Sequence, residues 1–224
     1  MPKVTEEYIE EKKNFIMDIA MELMKKIPLY QITMRDFIKR MGCSQGMIYR
    51  YYKGVDEIYL DLMNREIAEI DIRNQISCCL QEDIAENEML RKLFNLLGEY
   101  IVSVQQKIGG KFYYELLVTY AFDEKKQKEL LPQLLLKQNL MFIQSQIVDY
   151  IMEKVETGRL ALQLPIEQLA IYVGDTIDGI SNHGALIGKD DVASIRPQMM
   201  QLYEMVGEYV ITKVNSNGKE NVDE

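Results

Sequence analysis

Residues 33–53 of the chain are TMRDFIKRMGCSQGMIYRYYK, and the fold prediction starts from this stretch. Thr33 is a typical helix N-cap, with Asp36 three positions later as the partner of a capping box. Gly42 tolerates the left-handed φ at which helices often end, and Ser44 is again a typical N-cap. The stretch therefore predicts two short helices joined by a tight turn, which is the pattern of a helix-turn-helix.

The flanking sequence predicts further helices and contains few residues that break them. The 224 residues include 13 Gly and 5 Pro, which argues against an all-β sandwich or a disordered chain. Apolar pairs at helical spacing predict a helix over residues 5–26, which Pro28 ends. The other predicted helices cover 44–52, 55–77, 87–108, 110–122, 125–156 with an interruption near Pro132, 165–187 and 192–214. No strand pattern separates them, so the predicted fold class is all-α, with an N-terminal three-helix helix-turn-helix domain followed by a larger helical domain.

Charge is distributed unevenly along the chain. A net charge of −9 excludes a protein that binds nucleic acid over its whole surface. Residues 25–54, called here the basic segment, nevertheless have a net charge of +6, because seven basic residues stand against one acid, Asp36. The seven are Lys25, Lys26, Arg35, Lys39, Arg40, Arg50 and Lys53. A small basic region on an acidic body can still bind DNA, and the acidic body would disfavour non-specific contacts.

The second helix of the quoted stretch has side chains suited to the major groove of DNA. In a helix-turn-helix, the first residues of this helix face the base edges. Gln45 can pair with adenine through two hydrogen bonds, Met47 can contact a thymine methyl group, and Gly46 allows the backbone to approach closely. Arg35, at the start of the preceding helix, can reach a guanine edge or a phosphate. The alternative is that the basic segment is an ordinary solvated face of a helical bundle.

Tyrosines alternate with basic residues in the second half of this helix. Hydroxyl groups and cations commonly bind phosphate oxygens and fix the register of a protein on the duplex, which suits Tyr49 and Tyr51. Ile48 and Tyr52 stand four positions apart, so both are predicted to pack against the first helix.

The stretch from Phe15 to Leu62 resembles the TetR-like bacterial transcription regulators. Its sequence is FIMDIAMELMKKIPLYQITMRDFIKRMGCSQGMIYRYYKGVDEIYLDL. The shared pattern is an apolar first helix, a Thr cap, a Gly-x-Ser-x-Gly turn and helix, an aromatic pair and an acidic start to the fourth helix. The matching positions are Gly42, Ser44, Gly46, Ile48, Tyr49 and Tyr52.

The resemblance implies a set of DNA-contacting residues. Contacts at helix starts are implied for Thr33, Arg35 and Ser44, base reading for Gln45 and Met47, and phosphate or groove contacts for Tyr49 and Tyr51. In one departure, Val55 stands where the family usually has Lys, and Lys53 is a candidate to replace that phosphate anchor. The complete candidate set is Thr33, Arg35, Ser44, Gln45, Gly46, Met47, Tyr49, Arg50, Tyr51 and Lys53.

The resemblance also implies a domain organisation and a function. Residues 1–54 are expected to bind DNA, residues 55–214 to bind a ligand and dimerise, and residues 215–224 to form a disordered tail. The helices at 165–187 and 192–214 would pair with their symmetry mates in a homodimer, and their apolar faces suit such packing. The alternative is that these faces form an intramolecular core. The implied protein is a ligand-responsive transcription regulator, a repressor that binds a pseudo-palindromic double-stranded operator.

An effector site is expected among the helices between residues 87 and 185. Aromatic, methionine and acidic side chains there suit a lipophilic or cationic small molecule. The candidates are Phe112, Tyr113, Glu115, Met141, Phe142 and Asp175. The alternative is that these side chains are ordinary core residues.

Two other classes of protein remain as alternatives. An enzyme using Asp178, Ser181 and His183 is disfavoured, because three residues within six positions on one helix cannot converge on a substrate. The other alternative is an α-helical dimeric protein that binds another protein and has no DNA role. Cysteine spacing and the single His predict no metal site, and we expect no cofactor. A polar start and the absence of a long apolar run predict a cytoplasmic protein without a membrane partner.

Overall fold

The computed structural model describes residues 5–186, 192–209 and 211–213, and it confirms the all-α fold class. The α-helices are α1 (Glu6–Met24), α2 (Met34–Met41), α3 (Gln45–Ile48), α4 (Val55–Ala68), α5 (Ile72–Cys79), α6 (Glu86–Ile108), α7 (Gly110–Ala121), α8 (Glu124–Glu129), α9 (Leu135–Glu156), α10 (Ile166–Leu186) and α11 (Ile195–Tyr209). Short 3-10 turns lie at Leu29–Gln31, Leu131–Gln133 and Val192–Ser194. No helix of the described ranges has the length and apolar character needed to cross a membrane.

The third helix is shorter than its sequence predicts. The expected range was 44–52, whereas α3 is a single turn, Gln45–Ile48. The chain beyond it continues in tighter bonds, because the Arg50 N–H donates to the Met47 carbonyl and the Tyr51 N–H donates to the Ile48 carbonyl. These i to i+3 bonds end the helix in a 3-10-like turn.

The predicted helix over residues 55–77 is also wrong, because the structure divides it into α4 and α5. At the division, Asp71 has φ −79° and ψ 53°, which lies outside the helical region. The Ile70 N–H donates to the Ile67 carbonyl at 2.9 Å and closes the last turn of α4. No Gly or Pro stands at this break, and the local signal is limited to Asp71, a residue type favoured at helix starts, at the N-cap of α5.

The helix predicted over 192–214 ends earlier, and a strand follows. Strand β2 (Ile211–Lys213) pairs antiparallel with β1 (Leu160–Leu162), with Ala161 opposite Thr212. The sequence analysis predicted no strands, since three residues are too few to show an alternating pattern. The predicted end of the preceding helix at 187 and the tail 215–224 lie outside the described residues.

The chain divides into two compact units. Unit 1 contains the described residues up to Ile70 together with Val104–Gln138, and unit 2 contains Asp71–Ser103 and the described residues from Asn139 onward. Long helices contribute to both, since α6 and α9 each cross a boundary. The functional division at residues 54 and 55 remains a prediction.

Unit 1 is tied together by polar contacts between residues distant in sequence. The Leu29 N–H donates to Glu115 Oε2 of α7 at 2.7 Å. Lys126 Nζ of α8 lies 2.9 Å from Asp56 Oδ1 in the first turn of α4. The Asn64 amide of α4 donates to the Gln133 carbonyl at 3.0 Å. The segment 104–138 is therefore part of the unit that holds the basic segment.

Unit 2 has its own apolar core around α6, α10 and α11. Met199 of α11 lies so close to Gly98 of α6 that a Cβ there would meet its side chain at 3.2 Å, so glycine permits this close packing. The rings of Phe94 and Tyr203 pack with their centroids 6.0 Å apart. Buried apolar side chains on the two last helices include Leu169, Ile180, Met199, Leu202 and Val206.

Candidate nucleic-acid interface

The helices α2 and α3 are held on the core of unit 1 by large apolar side chains. Phe37 of α2 and Ile48 of α3 are fully buried, and Tyr52 is 2% exposed. The burial of Ile48 and Tyr52 confirms that they face inward. Burying such side chains contributes roughly 1.5–3 kcal/mol each, so the two helices sit on a fixed base.

A polar cluster behind α3 was missed by the sequence analysis. The Tyr52 hydroxyl donates to Asp61 Oδ2 of α4 at 3.1 Å, and Lys13 Nζ of α1 lies 2.8 Å from the same oxygen. Lys13 Nζ also lies 5.0 Å from the centroid of the Tyr52 ring. Burial raises the pKa of the Tyr52 hydroxyl, so it remains a donor to Asp61. The cluster links Tyr52, which follows the turn after α3, to α1 and α4.

The start of α2 has the predicted capping box. The Thr33 N–H and hydroxyl both donate to Asp36 Oδ2, at 2.8 and 2.7 Å. These hydrogen bonds hold the pKa of Asp36 below its usual value. At the other end, Gly42 has φ +63°, as expected for the residue that ends a helix in the left-handed region. The Thr33 hydroxyl proton is therefore engaged within the chain, and its oxygen remains able to accept a bond from a partner.

Most of the candidate DNA-contacting residues lie at the surface, in two short stretches of the chain. Met47 and Tyr51 are half-buried. The exposed members are Thr33, Arg35, Ser44, Gln45, Gly46, Tyr49, Arg50 and Lys53. Gly46 is informative, because a Cβ at this position would meet no atom within 4 Å. Packing within the chain therefore does not require glycine there, and glycine lowers helix propensity.

Most cations of the basic segment have no partner within the described part of the chain. Arg40 is the exception, because its Nη2 lies 2.6 Å from Glu22 Oε2 of α1. This hydrogen bond, reinforced by the charge of Arg40, lowers the pKa of Glu22. Basic side chains of the segment with no carboxylate within 4.0 Å, among residues that the structure describes, are Lys25, Lys26, Arg35, Lys39, Arg50 and Lys53.

Val55, which stands where the TetR-like regulators usually have Lys, is the first residue of α4. Val55 is half-buried, whereas the side chain of Lys53 is exposed. The Lys53 N–H donates to Glu57 Oε2 at 2.7 Å, which fixes the backbone of this residue against the first turn of α4. That Lys53 makes the phosphate contact in place of a Lys at position 55 remains a prediction.

Comparison with known proteins identifies the architecture. No protein-family model matches the chain, and no curated protein matches it. Solved structures do match. A protein from Saccharomonospora viridis, described as a transcriptional regulator in complex with choline, superposes with a TM-score of 0.60 at 16% identity, over 91% of this chain and 100% of the other. A TetR/AcrR-family regulator from Thermobifida fusca superposes with a TM-score of 0.54 at 15% identity, over 86% and 96% of the two chains.

A third solved structure extends the same likeness. The transcriptional regulator FadR from Bacillus subtilis, in complex with stearoyl-CoA, superposes with a TM-score of 0.50 at 16% identity, over 84% of this chain and 95% of that chain. The chain has the fold of the TetR/AcrR family. Identities this low establish the TetR fold alone, so the chemistry of this chain has to be argued from its own residues.

The candidate effector residues fall in both units of the TetR fold. Phe112, Tyr113 and Glu115 belong to unit 1, where the first two are buried and Phe112 packs edge-on against Tyr59 with centroids 5.9 Å apart. Glu115 is already engaged, because it accepts the hydrogen bond from the Leu29 N–H. Neither its assignment nor that of the two aromatic residues to a ligand site is tested.

The other three candidates belong to unit 2. Met141 is 60% exposed on α9, and Asp175 is exposed on α10. The ring of Phe142 already has a cation over it, because the Arg73 guanidinium carbon lies 5.1 Å from its centroid. Their role in ligand binding also remains a prediction.

The two helices expected to form the dimer interface have both buried and exposed apolar side chains. Those that pack inside unit 2 are the five named above and Ile195. Ile171 and Tyr172 of α10 are 64% and 47% exposed, and Met205 of α11 is 44% exposed. The predicted intramolecular core and the predicted partner surface are thus different faces of the same helices.

The three residues of the rival catalytic group lie on α10. Ser181 is buried, and its hydroxyl donates to the Ile177 carbonyl at 2.7 Å, as helix serines commonly do. Asp178 and His183 are exposed on the same helix. Burial, and then the charge of Asp175, raises the pKa of Asp178.

Proposed function

We propose that this protein is a DNA-binding transcription regulator of the TetR family that responds to a small molecule. The observation that carries the proposal is the set of exposed cations of the basic segment that lack partners among the described residues. They belong to the same segment of sequence as Gln45 and Gly46, the predicted reading positions at the start of α3. None of these six cations forms an ion pair within 4.0 Å among the described residues, and phosphate binding requires exposed cations of this kind.

The reading geometry follows from the fixed position of α3. Its first turn would enter the major groove, with Gln45 on an adenine edge and Met47 against a thymine methyl group. Arg35, Arg50 and Lys53 would bind phosphates on either side. The open space around Gly46 would be filled by the DNA backbone or base edges.

The proposed regulator acts as a homodimer on a pseudo-palindromic operator. Two copies are needed because one α3 reads a single half-site, and half-sites lie about 34 Å apart on successive turns. Support for the interface comes from the exposed Ile171 and Tyr172 of α10 and Met205 of α11, which a partner copy would bury. As a repressor, the dimer would block transcription until an effector changes the distance between its two reading helices.

A small-molecule effector is supported by two of the solved structures with this fold. Those proteins were crystallised with choline and with stearoyl-CoA. By analogy, we propose that the helices beyond the basic segment of this chain bind an effector as well. An effector can act only if its affinity differs between the DNA-bound and DNA-free conformations.

The test measures DNA binding by the intact protein and by a reading variant. Operator fragments are first selected from a random DNA pool with the wild-type protein. Gln45→Ala is expected to weaken binding to the selected fragment about 10-fold or more, because one bidentate base contact contributes roughly 1–3 kcal/mol. Gln75→Ala, which changes an exposed glutamine of α5, is the matched control and should bind normally.

The same titrations distinguish DNA binding from the rival function. Affinity that falls steeply with salt supports phosphate neutralisation. Absence of binding to any DNA at low salt, by a protein that remains folded and dimeric, would instead support a protein-interaction role. Equal binding by wild type and the Gln45 variant would refute the assigned reading helix.

A further inference from the structure

Unit 2 contains an arginine in an unusual setting, Arg73 of α5. Its Nε donates to Asn139 Oδ1 of α9 at 2.9 Å, and its guanidinium carbon lies 5.1 Å from the centroid of the Phe142 ring. The amide of Asn139 donates in turn to the Tyr100 hydroxyl of α6 at 3.1 Å. Three helices therefore hold one guanidinium group at a defined position.

The supporting groups are buried, although Arg73 itself is exposed. Asn139 is 3% exposed and Tyr100 is 1% exposed. Burial raises the pKa of Tyr100 to about 12, so its hydroxyl is neutral and stays within the hydrogen-bonded chain. Because buried polar groups that are fully bonded are rigid, the Arg73 side chain has a preorganised base.

Arg73 and Arg91 are the arginines of unit 2 without a carboxylate partner among the described residues, and of these two Arg73 is the one held by a buried amide and an aromatic ring. Arg159 Nη2 lies 2.5 Å from Glu86 Oε1, and Arg196 Nη2 lies 2.7 Å from Glu99 Oε2. For Arg73, no carboxylate of the described residues lies within 4.0 Å, and its Nη1 and Nη2 groups have no acceptor there. A guanidinium has five N–H donors, so four remain unused after the bond to Asn139.

The hydrogen bond to Asn139 alone does not account for this arrangement. A single donor satisfies the Asn139 oxygen, and the remaining N–H groups of Arg73 are accessible to a ligand because the side chain is exposed. The guanidinium carbon lies over the Phe142 ring, and this contact together with the bond from Nε restricts the position of the group. A fixed planar fork with free donors is the geometry that binds a carboxylate or a phosphate through two parallel hydrogen bonds.

We propose that Arg73, held by Asn139 and Phe142, binds the oxyanion of the effector, a carboxylate or phosphate group on an organic molecule. The inference rests on the proposed regulator function and specifies its ligand class. An effector with an oxyanion replaces the expected cationic effector at this position, because Arg73 already lies over the Phe142 ring that a ligand cation would use.

The experiment uses the full-length wild-type protein and probes with the same alkyl chain. Decanoate and decyl phosphate provide the two oxyanions, decanol has no charge, and decyltrimethylammonium is cationic. Inorganic phosphate tests the anion without a chain. Dissociation constants are measured by isothermal titration calorimetry in the absence of DNA.

At least one of the two alkyl oxyanions should bind about 10-fold to 100-fold more tightly than decanol, as expected for charge-assisted hydrogen bonds. The tighter of the two identifies the natural group as carboxylate or phosphate. Binding of inorganic phosphate as tightly as decyl phosphate would indicate a free anion and refute an organic effector. Tighter binding of the cation, or no binding by either oxyanion at millimolar concentration, would overturn the proposal.

Variants locate the binding at Arg73. Arg73→Gln should remove the preference for the oxyanion over decanol, and Arg73→Lys should keep a reduced part of it, because Lys retains the charge without the fork. Arg91→Gln, an exposed arginine of α6 without an ion pair among the described residues, has the same change in charge and should bind like wild type. An unchanged preference in both Arg73 variants would refute the site.

The outcome is separable from that of the regulator proposal. If Arg73→Gln loses thermal stability, the ranking of probes on wild type and the Arg73→Lys variant still decides the question. A protein that binds the oxyanion through Arg73 but forms no DNA complex at low salt would refute the regulator function alone. A protein that binds DNA without any Arg73-dependent probe binding would refute the effector site alone.

Discussion

In the basic segment, residues 25–54, Arg40 is the basic side chain with an ion pair among the described residues, whereas several basic side chains elsewhere bridge helices. Behind α3, Lys13 binds Asp61, and Arg65 binds both Asp18 and Glu66. In unit 2, Arg159 and Arg196 bind carboxylates of α6. The same residue types therefore stabilise the fold in one region and remain available for a partner in the other.

The difference shows why net charge is a poor guide to partners. The total of −9 describes mostly carboxylates outside the basic segment, many of which neutralise nearby cations. What a phosphate backbone would meet is the local set of unpaired cations. If this interpretation is right, removing cations from the two regions should affect different properties.

The largest effect is expected from the double variant Arg35→Ala/Arg50→Ala. Loss of two phosphate-binding cations should weaken DNA binding about 100-fold at moderate salt and reduce the slope of log affinity against log salt by about two. The free energy of unfolding should not change, because neither side chain has an ion pair among the described residues. Gel-shift titration at several salt concentrations measures both quantities.

A matched control is Arg91→Ala/Lys137→Ala, which removes the same charge from exposed positions outside the basic segment. A similar loss of DNA affinity in this control would mean that total charge, and not the basic segment, determines binding.

A smaller effect, on stability, is expected from Asp61→Ala. This change leaves the buried Tyr52 hydroxyl without its acceptor and Lys13 without its partner. The free energy of unfolding should fall by roughly 1–3 kcal/mol, the cost of leaving a buried polar group unsatisfied. Urea denaturation measures it, and Asp61→Asn should lose less because it keeps an acceptor oxygen. Unchanged stability in both variants would contradict the conclusion that the Asp61 carboxylate stabilises the fold.

Thr33→Ala should lower the free energy of unfolding by about 1 kcal/mol at pH 7, as expected for a lost N-cap. The bonds from Thr33 lower the pKa of Asp36, so their stabilisation is present above the unfolded pKa and is lost as pH falls through the folded pKa. The difference between wild type and variant should therefore shrink below about pH 4. A difference that grew on acidification, in denaturation curves from pH 7 to 2.5, would contradict the capping box.

The smallest effect is expected from Arg196→Gln, which removes the exposed ion pair to Glu99. Such pairs contribute little because water screens them, so the thermal midpoint should fall slightly. The difference should disappear in about 1 M salt, where the Debye length is about 3 Å. A difference that persisted there would mean that the pair is stabilised by more than charge.

Local signals in the sequence predicted much of the helix-turn-helix. Thr33 and Asp36 form the expected capping box, and Gly42 has the expected left-handed φ. Pro132 lies in the interruption between α8 and α9, as predicted. Each of these features depends on residues within a few positions of one another, so a single sequence contains the whole signal.

Features that depend on distant residues were not predictable in this way. Glu115 accepts the N–H of Leu29, 86 positions earlier, and no local pattern predicted this bond. The link between Lys13, Tyr52 and Asp61 joins two helices to the segment after α3 and leaves no local pattern. For the candidate site, sequence therefore identified most of the exposed residues and the inward-facing Ile48 and Tyr52, but not the polar contacts made by Lys13 and Asp61.

The division of unit 1 into two stretches of sequence has a consequence for synthesis on the ribosome. The acceptor for the Leu29 N–H and the partner of Asp56 lie at Glu115 and Lys126, within the second stretch, which ends at Gln138. While the intervening residues 71–103 are being translated, the nascent basic segment lacks these contacts. The helices α2 and α3 can therefore reach their final stability only after α8 has left the exit tunnel, well after residue 54 has emerged.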